Sequence, residues 1–166
     1  INIDGKIILT DPVYENKTVF MGPSRYNGDV PLFIEELPEI DLVLITHNHY
    51  DHLNKATIEK IHHKVKVFYA PLMVGADLES FGVPREKIVE LDWWEEIIPF
   101  ENFLIAFAPT QHFSGRGLFD RDETLWGSYV IKGLHHKIYF SGDSGYFEGF
   151  KLIGEKYGPF DYTMME

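Results

Sequence analysis

Ile40-Asp41-Leu42-Val43-Leu44-Ile45-Thr46-His47-Asn48-His49-Tyr50-Asp51-His52 joins an almost unbroken apolar run to a dense group of imidazoles and a carboxylate. The apolar half, 40–46, reads as a strand buried on both faces, as in α/β or other layered architectures. The other half places His47, His49, Asp51 and His52 within six positions, a density for which a solvated loop has no structural reason. His47 and His49 are two apart, so on an extended strand end they project to one side and can chelate one ion. Asp51 and His52 leave the following turn toward a neighbouring position. Two metal sites a few ångströms apart are geometrically natural here. Imidazole and carboxylate without sulfur suit zinc, manganese or iron rather than copper(I) or a cluster.

Working outward, Asn54 is placed to cap a helix over 55–63, because its side-chain oxygen can accept from the free amides of the first turn. Residues 65–70 read as the next strand. Pro71 and Gly82 bracket a helix, and β structure resumes at Ile88–Leu91. Upstream, 6–10 is a short β-rich run stopped by Pro12, which puts Asp11 at a strand end; 13–31 reads as a long loop. Downstream, Phe103–Ala108, 124–132 and 137–141 read as strands, 147–157 as a helix and 162–165 as a further strand. This alternation predicts a layered α/β fold. His112 and Asp143 each follow one of these strands. A carboxylate such as Asp143 can bridge two cations, and Gly142 and Gly145 let the backbone pass close to a crowded site.

Composition narrows the function further. The 166 residues carry 15 Lys and Arg against 26 Asp and Glu, a net charge of −11, which opposes a generic nucleic-acid binder. With no cysteine there is no disulfide, thiolate zinc site or cysteine nucleophile. No apolar run approaches the roughly 20 residues that cross a bilayer, and the N-terminus lacks a signal layout. The expectation is a soluble, cytoplasmic protein without a transmembrane segment or nucleic-acid partner. Residues 1–166 are expected to form one partial domain, since the chain opens at Ile1 and stops within the last expected strand.

The motif His-x-His-x-Asp-His, followed by a strand-end His and then Ser141-Gly142-Asp143, resembles the metallo-β-lactamase superfamily. Ile8-Leu9-Thr10-Asp11-Pro12-Val13, Gln111-His112-Phe113-Ser114, Gly117-Leu118-Phe119-Asp120-Arg121 and Thr124-Leu125-Trp126-Gly127 are similar to the branch containing N-acylphosphatidylethanolamine-hydrolysing phospholipase D. The resemblance implies an αβ/βα sandwich, incomplete at both ends. It implies that His47, His49 and His112 hold a first metal, that Asp51 and His52 belong to a second, and that Asp143 bridges them. Asp11 would orient a ligand imidazole. The family supplies one more histidine to the second metal beyond a further strand, past the end of this chain. His135 and His136 lie in an expected hairpin turn and do not replace it.

The implied activity is hydrolysis by a metal-bridged hydroxide, with two divalent cations, zinc before manganese or iron, and Asp51 as proton acceptor as well as ligand. A phosphodiester in a small-molecule or lipid-like substrate is the first choice. A lactone, ester or amide on the same site is the alternative, and a catalytically silent binding module is a third reading. Arg116, Arg121 and Ser114 could contact a phosphate or carboxylate. Trp93, Trp94, Phe113, Phe119 and Trp126 could line an apolar pocket or belong to the core, and Tyr50 could donate a proton or fill its loop.

Overall fold

The computed structural model describes residues 1–18, 24–26, 30 and 32–166, so part of the loop expected over 13–31 lies outside the described residues. The decisive strand is β3 (Ile40–Leu44), and all five of its residues are buried. Its neighbouring side chains diverge to opposite faces. Leu42 and Leu44 join Tyr69, Phe107, Tyr129 and Ile131 in a core between two sheets, while Val43 and the following Ile45 join Ile58, Ile61 and Leu78 under a helical layer.

The first sheet has the order β1-β2-β3-β4-β5, with β1 at Asn2–Ile3, β2 at Lys6–Thr10, β4 at Val65–Pro71 and β5 at Ile88–Leu91. β2 through β5 pair in parallel, and β1 returns antiparallel along β2. Asp4 and Gly5, both at positive φ, make that turn. Helices α1 (Lys55–Ile61) and α2 (Gly75–Ser80) cover the outer face. As the sequence predicts, Asn54 caps α1, its side-chain oxygen accepting from the Thr57 amide at 2.9 Å.

The second sheet has the order β10-β9-β8-β7-β6: β6 (Glu96–Phe100), β7 (Phe103–Ala108), β8 (Ser128–Lys132) and β9 (Lys137–Phe140) form an antiparallel meander, and β10 (Tyr162–Met164) adds in parallel to β9. Helix α3 (Gly149–Tyr157) sets Phe150 and Ile153 against Ala106, Val130 and Tyr139 on the outer face. The layers are therefore helix, sheet, sheet, helix: the αβ/βα sandwich. Tyr129 pins the sheets together, its buried hydroxyl reaching from β8 to the carbonyls of Ile45 at 2.9 Å and Tyr69 at 3.1 Å.

Three local expectations, at Pro71, over residues 124–127 and at the end of α1, are revised. Pro71 ends β4, opposite Leu91 of β5, and the helix begins only at Gly75, after a turn with Met73 at positive φ. Strand β6 contains Pro99, which argues against an interior strand; it is tolerated because β6 is an edge. Residues 124–127 do not extend β8, because the Leu125 and Gly127 amides donate instead to the Leu72 and Thr46 carbonyls of the first sheet's loops. Helix α1 stops at Ile61, and 62–64 tighten into a 3₁₀ turn.

Candidate metal centre

Strands β2 and β3 run parallel, so Asp11 and residues 46–52 emerge at the same end of the first sheet. β7 and β9 are each antiparallel to the intervening β8, hence parallel to one another, so His112 and Asp143 emerge at one end of the second. These two ends meet. Nitrogen and oxygen atoms of His47, His49, His112 and Asp143 all lie within 4.8 Å of one another.

His49 Nδ1 is 2.8 Å from His47 Nε2 and 3.2 Å from His112 Nε2. Asp143 Oδ2 is 3.9 Å from His47 Nε2 and 3.6 Å from His112 Nε2, while its Oδ1 is 2.9 Å from His52 Nε2. One carboxylate thus presents its two oxygens to two separate imidazole groups. A tetrahedral cation with ligands about 2.0–2.1 Å away holds its ligand atoms about 3.3 Å apart, and the spacings here bracket that value. Three imidazole nitrogens turned toward one another cannot all be satisfied by hydrogen bonds among themselves, so the cluster fits a divalent cation.

Outer contacts choose the tautomer. Asp11 is held at φ 39° just past β2, and its buried carboxylate accepts from the Thr46 amide at 2.8 Å and the Thr46 hydroxyl at 2.6 Å. Since the Thr46 proton goes to Asp11, Thr46 Oγ1 accepts from His47 Nδ1 at 2.9 Å. That leaves the His47 Nε2 lone pair directed into the cluster, as a ligand requires. Asp11 Oδ2 also accepts from His52 Nδ1 at 2.8 Å. Asp11, His47 and His52 form a second convergent trio, but its atoms are already joined by these hydrogen bonds, so Asp11 supports the ligands rather than facing the cluster.

Electrostatics sort the histidines. Burial, with repulsion from His52, His49 and His112, holds His47 far below the usual imidazole range. His49 and His112 are also lowered, chiefly by burial; all three are neutral and able to donate lone pairs. Burial acts to lower His52 too, but its bonds to Asp11 and Asp143 prevail and push it up to about 10. Burial raises Asp11 against the opposing bonds from His52 and Thr46. Asp143 is lowered despite its burial, chiefly through its bond to His52.

Among the expected site residues, His47, His49, His52, His112, Asp143 and Asp11 are brought together. Asp51 is exposed beside them and forms no hydrogen bond to these imidazoles among the described residues; it shares with Asp11 the wall of a cavity of about 430 Å³. Two substrate contacts are corrected. Ser114 is fully buried and its hydroxyl donates to the Thr124 carbonyl at 2.6 Å. Arg116 is half-buried and donates to the carbonyls of Asn48 and Leu53 at 2.7 and 2.8 Å. Both are committed to the fold. Of the aromatics, Phe113 packs edge-on to His49, centroids 4.7 Å apart. Trp93 and Trp126 instead donate to the backbone, at Trp126 and Thr110, and Phe119 is 93% exposed. Thr46 and Asn48 escaped the sequence reading. Thr46 directly before the histidine motif and Asn48 within it were the available signals, but Asp11, Asp77 and Gly115, with which they bond, are distant in sequence.

Two facing sheets with helices outside and a His/Asp cluster at one edge define the metallo-β-lactamase type of fold. A family model described as Beta-lactamase superfamily domain matches residues 6–166, and the chain belongs to that family. A Mycobacterium tuberculosis protein is 41% identical over 169 residues, covering 99% of this chain and 45% of the relative. N-acyl-phosphatidylethanolamine-hydrolyzing phospholipase D 1 of Caenorhabditis elegans is 33% identical over 174 residues, covering 97% and 48%. The crystal structure of CmlA, a diiron beta-hydroxylase from Streptomyces venezuelae, aligns with a TM-score of 0.68 and 26% identity, covering 96% of this chain and 30% of that one. This chain spans less than half the length of each. Among the described residues, no helix is long and apolar enough to cross a membrane.

Proposed function

We propose that this chain carries the centre of a metal-dependent hydrolase acting on a phosphodiester in a lipid-like substrate. The observation that carries the reading is Asp143, whose Oδ2 faces His47 and His112 while its Oδ1 faces His52. In this reading His47, His49, His112 and Asp143 would hold one cation, and Asp143, Asp51 and His52, once its Nε2 proton is displaced, would contribute to a second. Zinc is our first choice among the metals that imidazole and carboxylate without sulfur suit, before manganese or iron. Such cations supply Lewis acidity and bring the ionisation of water toward neutral pH.

The chain's own groups do the rest. Asp11 and Thr46 keep His47 in the tautomer that points Nε2 inward. Asp11 also fixes the His52 ring through Nδ1. The exposed Asp51 carboxylate beside the cavity accepts the proton released when water attacks. Phe113 packs against the His49 ring. The choice of a phosphodiester rests on the similarity to the nematode phospholipase D.

The test is metal content by inductively coupled plasma mass spectrometry on protein purified without chelator, for wild type, His49→Ala and Asp143→Ala, alongside hydrolysis of a chromogenic phosphodiester and a lactone. The expected result is about two equivalents of zinc, falling in both variants, with turnover of the phosphodiester. Two equivalents of iron would move the chemistry toward that named for CmlA. A folded wild-type protein without metal above background would refute the hydrolase reading, and turnover of the lactone alone would refute the substrate class.

A further inference from the structure

The segment carrying His49, Asp51 and His52 is bracketed by two buried residues, Asn48 and Leu53. Both of their carbonyls accept from a single nitrogen, Arg116 Nη1, at 2.7 and 2.8 Å. Arg116 belongs to the opposite loop, the one that follows β7 and carries His112. Its guanidinium lies 4.2 Å from the centroid of the Tyr50 ring and 5.3 Å from that of Phe81. The contact is reciprocated: the Tyr50 hydroxyl donates to the Arg116 carbonyl at 2.6 Å, and the Gly115 amide donates to Asn48 Oδ1 at 2.8 Å. The presenting turn is itself closed, because the Arg116 and Gly117 amides donate to the two carboxylate oxygens of Asp120 at 2.8 and 2.7 Å.

The location gives this arrangement its consequence. His49 and His112 come from loops of different sheets, 63 positions apart in sequence, yet their ring nitrogens must stay 3.2 Å apart. No covalent link sets that distance. We propose that Arg116 is a positioning residue of the metal centre: by holding both ends of the 48–53 segment against the loop after His112, it fixes the spacing of His49 and His112 and thereby sets metal affinity and geometry. This inference rests on the metal-centre reading above. Its physical basis is that removing the guanidinium unpairs two buried carbonyls at once and frees the segment to shift. Coordination tolerates displacements of only a few tenths of an ångström, so a shift that leaves the fold intact still weakens the site. A lysine offers a point charge with rotatable donors and cannot stack flat on Tyr50 in the same way.

The experiment is cobalt(II) titration of the full-length protein, reading the d–d absorption spectrum and the affinity by chelator competition, for wild type, Arg116→Lys, Arg116→Met and His49→Ala. Folding is checked by circular dichroism. Arg116→Met is expected to bind cobalt about 10–100-fold more weakly with an altered spectrum, within the range usual for residues behind a metal ligand. Arg116→Lys is expected to recover part of the affinity, remaining about threefold to tenfold weaker than wild type. A folded Arg116→Met that melts lower yet binds within twofold of wild type with the same spectrum overturns the inference and makes Arg116 a purely structural clamp. If Arg116→Met does not fold, Arg116→Lys decides, and wild-type affinity and spectrum in that variant overturn the inference. Wild-type protein that binds no cobalt, or His49→Ala that binds it unchanged, overturns the metal-centre reading itself, which separates the two failures.

Discussion

Gly142→Ala is the substitution whose effect can be worked most directly from the structure. Gly142 sits at φ +56° between Ser141 and Asp143, and a Cβ added there would lie 2.7 Å from Thr46 Cγ2 and 2.8 Å from both Thr46 Cβ and Oγ1. Thr46 cannot retreat. It is fully buried, and both its amide and its hydroxyl are held by Asp11. The left-handed backbone alone costs an alanine about 1 kcal/mol, and overpacking a rigid buried site adds about 1–3 kcal/mol. A loss of about 3 kcal/mol is expected, equivalent to about 6–12 °C in Tm for a chain of this size. Because the collision pushes Thr46 and Asp143 apart, metal affinity falls with stability. The assay is urea unfolding followed by circular dichroism, with metal affinity measured in parallel. Gly142→Asn separates the two contributions: asparagine accepts the left-handed backbone better but keeps the Cβ, so it is expected to be nearly as destabilising as alanine. Wild-type stability in Gly142→Ala, within about 0.5 kcal/mol, would refute the reasoning, and full recovery in Gly142→Asn would show that the contact with Thr46 is not the cause.

Other expectations follow from the same contacts. Tyr129→Phe removes the one hydroxyl that joins β8 to the Ile45 and Tyr69 carbonyls; it should lower stability by about 1–3 kcal/mol, and an unchanged Tm would count against its role as a pin. Asp11→Asn leaves shape nearly intact but spoils an acceptor for Thr46 and His52, so metal affinity should drop about 10–100-fold, read by chelator competition; unaltered affinity would reject its part in orienting the imidazoles. Stripping metal with chelator should lower unfolding stability by about 4 kcal/mol relative to protein held at a thousandfold excess of metal over Kd, and coincident melting curves would mean that no metal binds the native state. Asp41 supplies the pH test, away from the centre. Burial acts to raise its pKa, but the bonds from Lys66 and the Ile7 amide prevail and lower it. A carboxylate lowered in the folded state contributes stability above the unfolded value of about 3.9 and loses it as pH falls through the folded value. Lys66 is well exposed, so solvent screening keeps the contribution small. Asp41→Asn should flatten the decline of stability below about pH 4, and identical pH slopes would contradict the assignment.

Much of the architecture was legible because its signals are local. The all-buried β3, the Asn54 cap and the strands that precede His112 and Asp143 each follow from side-chain types within a few residues. The misread elements were those settled by remote partners. Pro71 looks like a helix start until Leu91 is seen beside it in β5. Residues 124–127 look like a strand until their amides are found donating to loops of the other sheet.

The same division runs through the candidate site. The sequence by itself determined the inventory, a His-x-His-x-Asp-His run at a buried strand end with one more histidine and two more aspartates at other strand ends, because ligand chemistry belongs to individual side chains. It also determined that no thiolate within these residues could take part. Only the tertiary structure decided which of these atoms meet, since that depends on β7 and β9 running in one direction on either side of β8. It decided that Asp143 divides its two oxygens between imidazole groups, and that Thr46 passes the preference of Asp11 on to His47. It also took Arg116 and Ser114 away from the substrate. A guanidinium or a hydroxyl can serve a ligand or a backbone carbonyl equally well, and only the packing of two distant loops determines which partner lies within hydrogen-bonding distance.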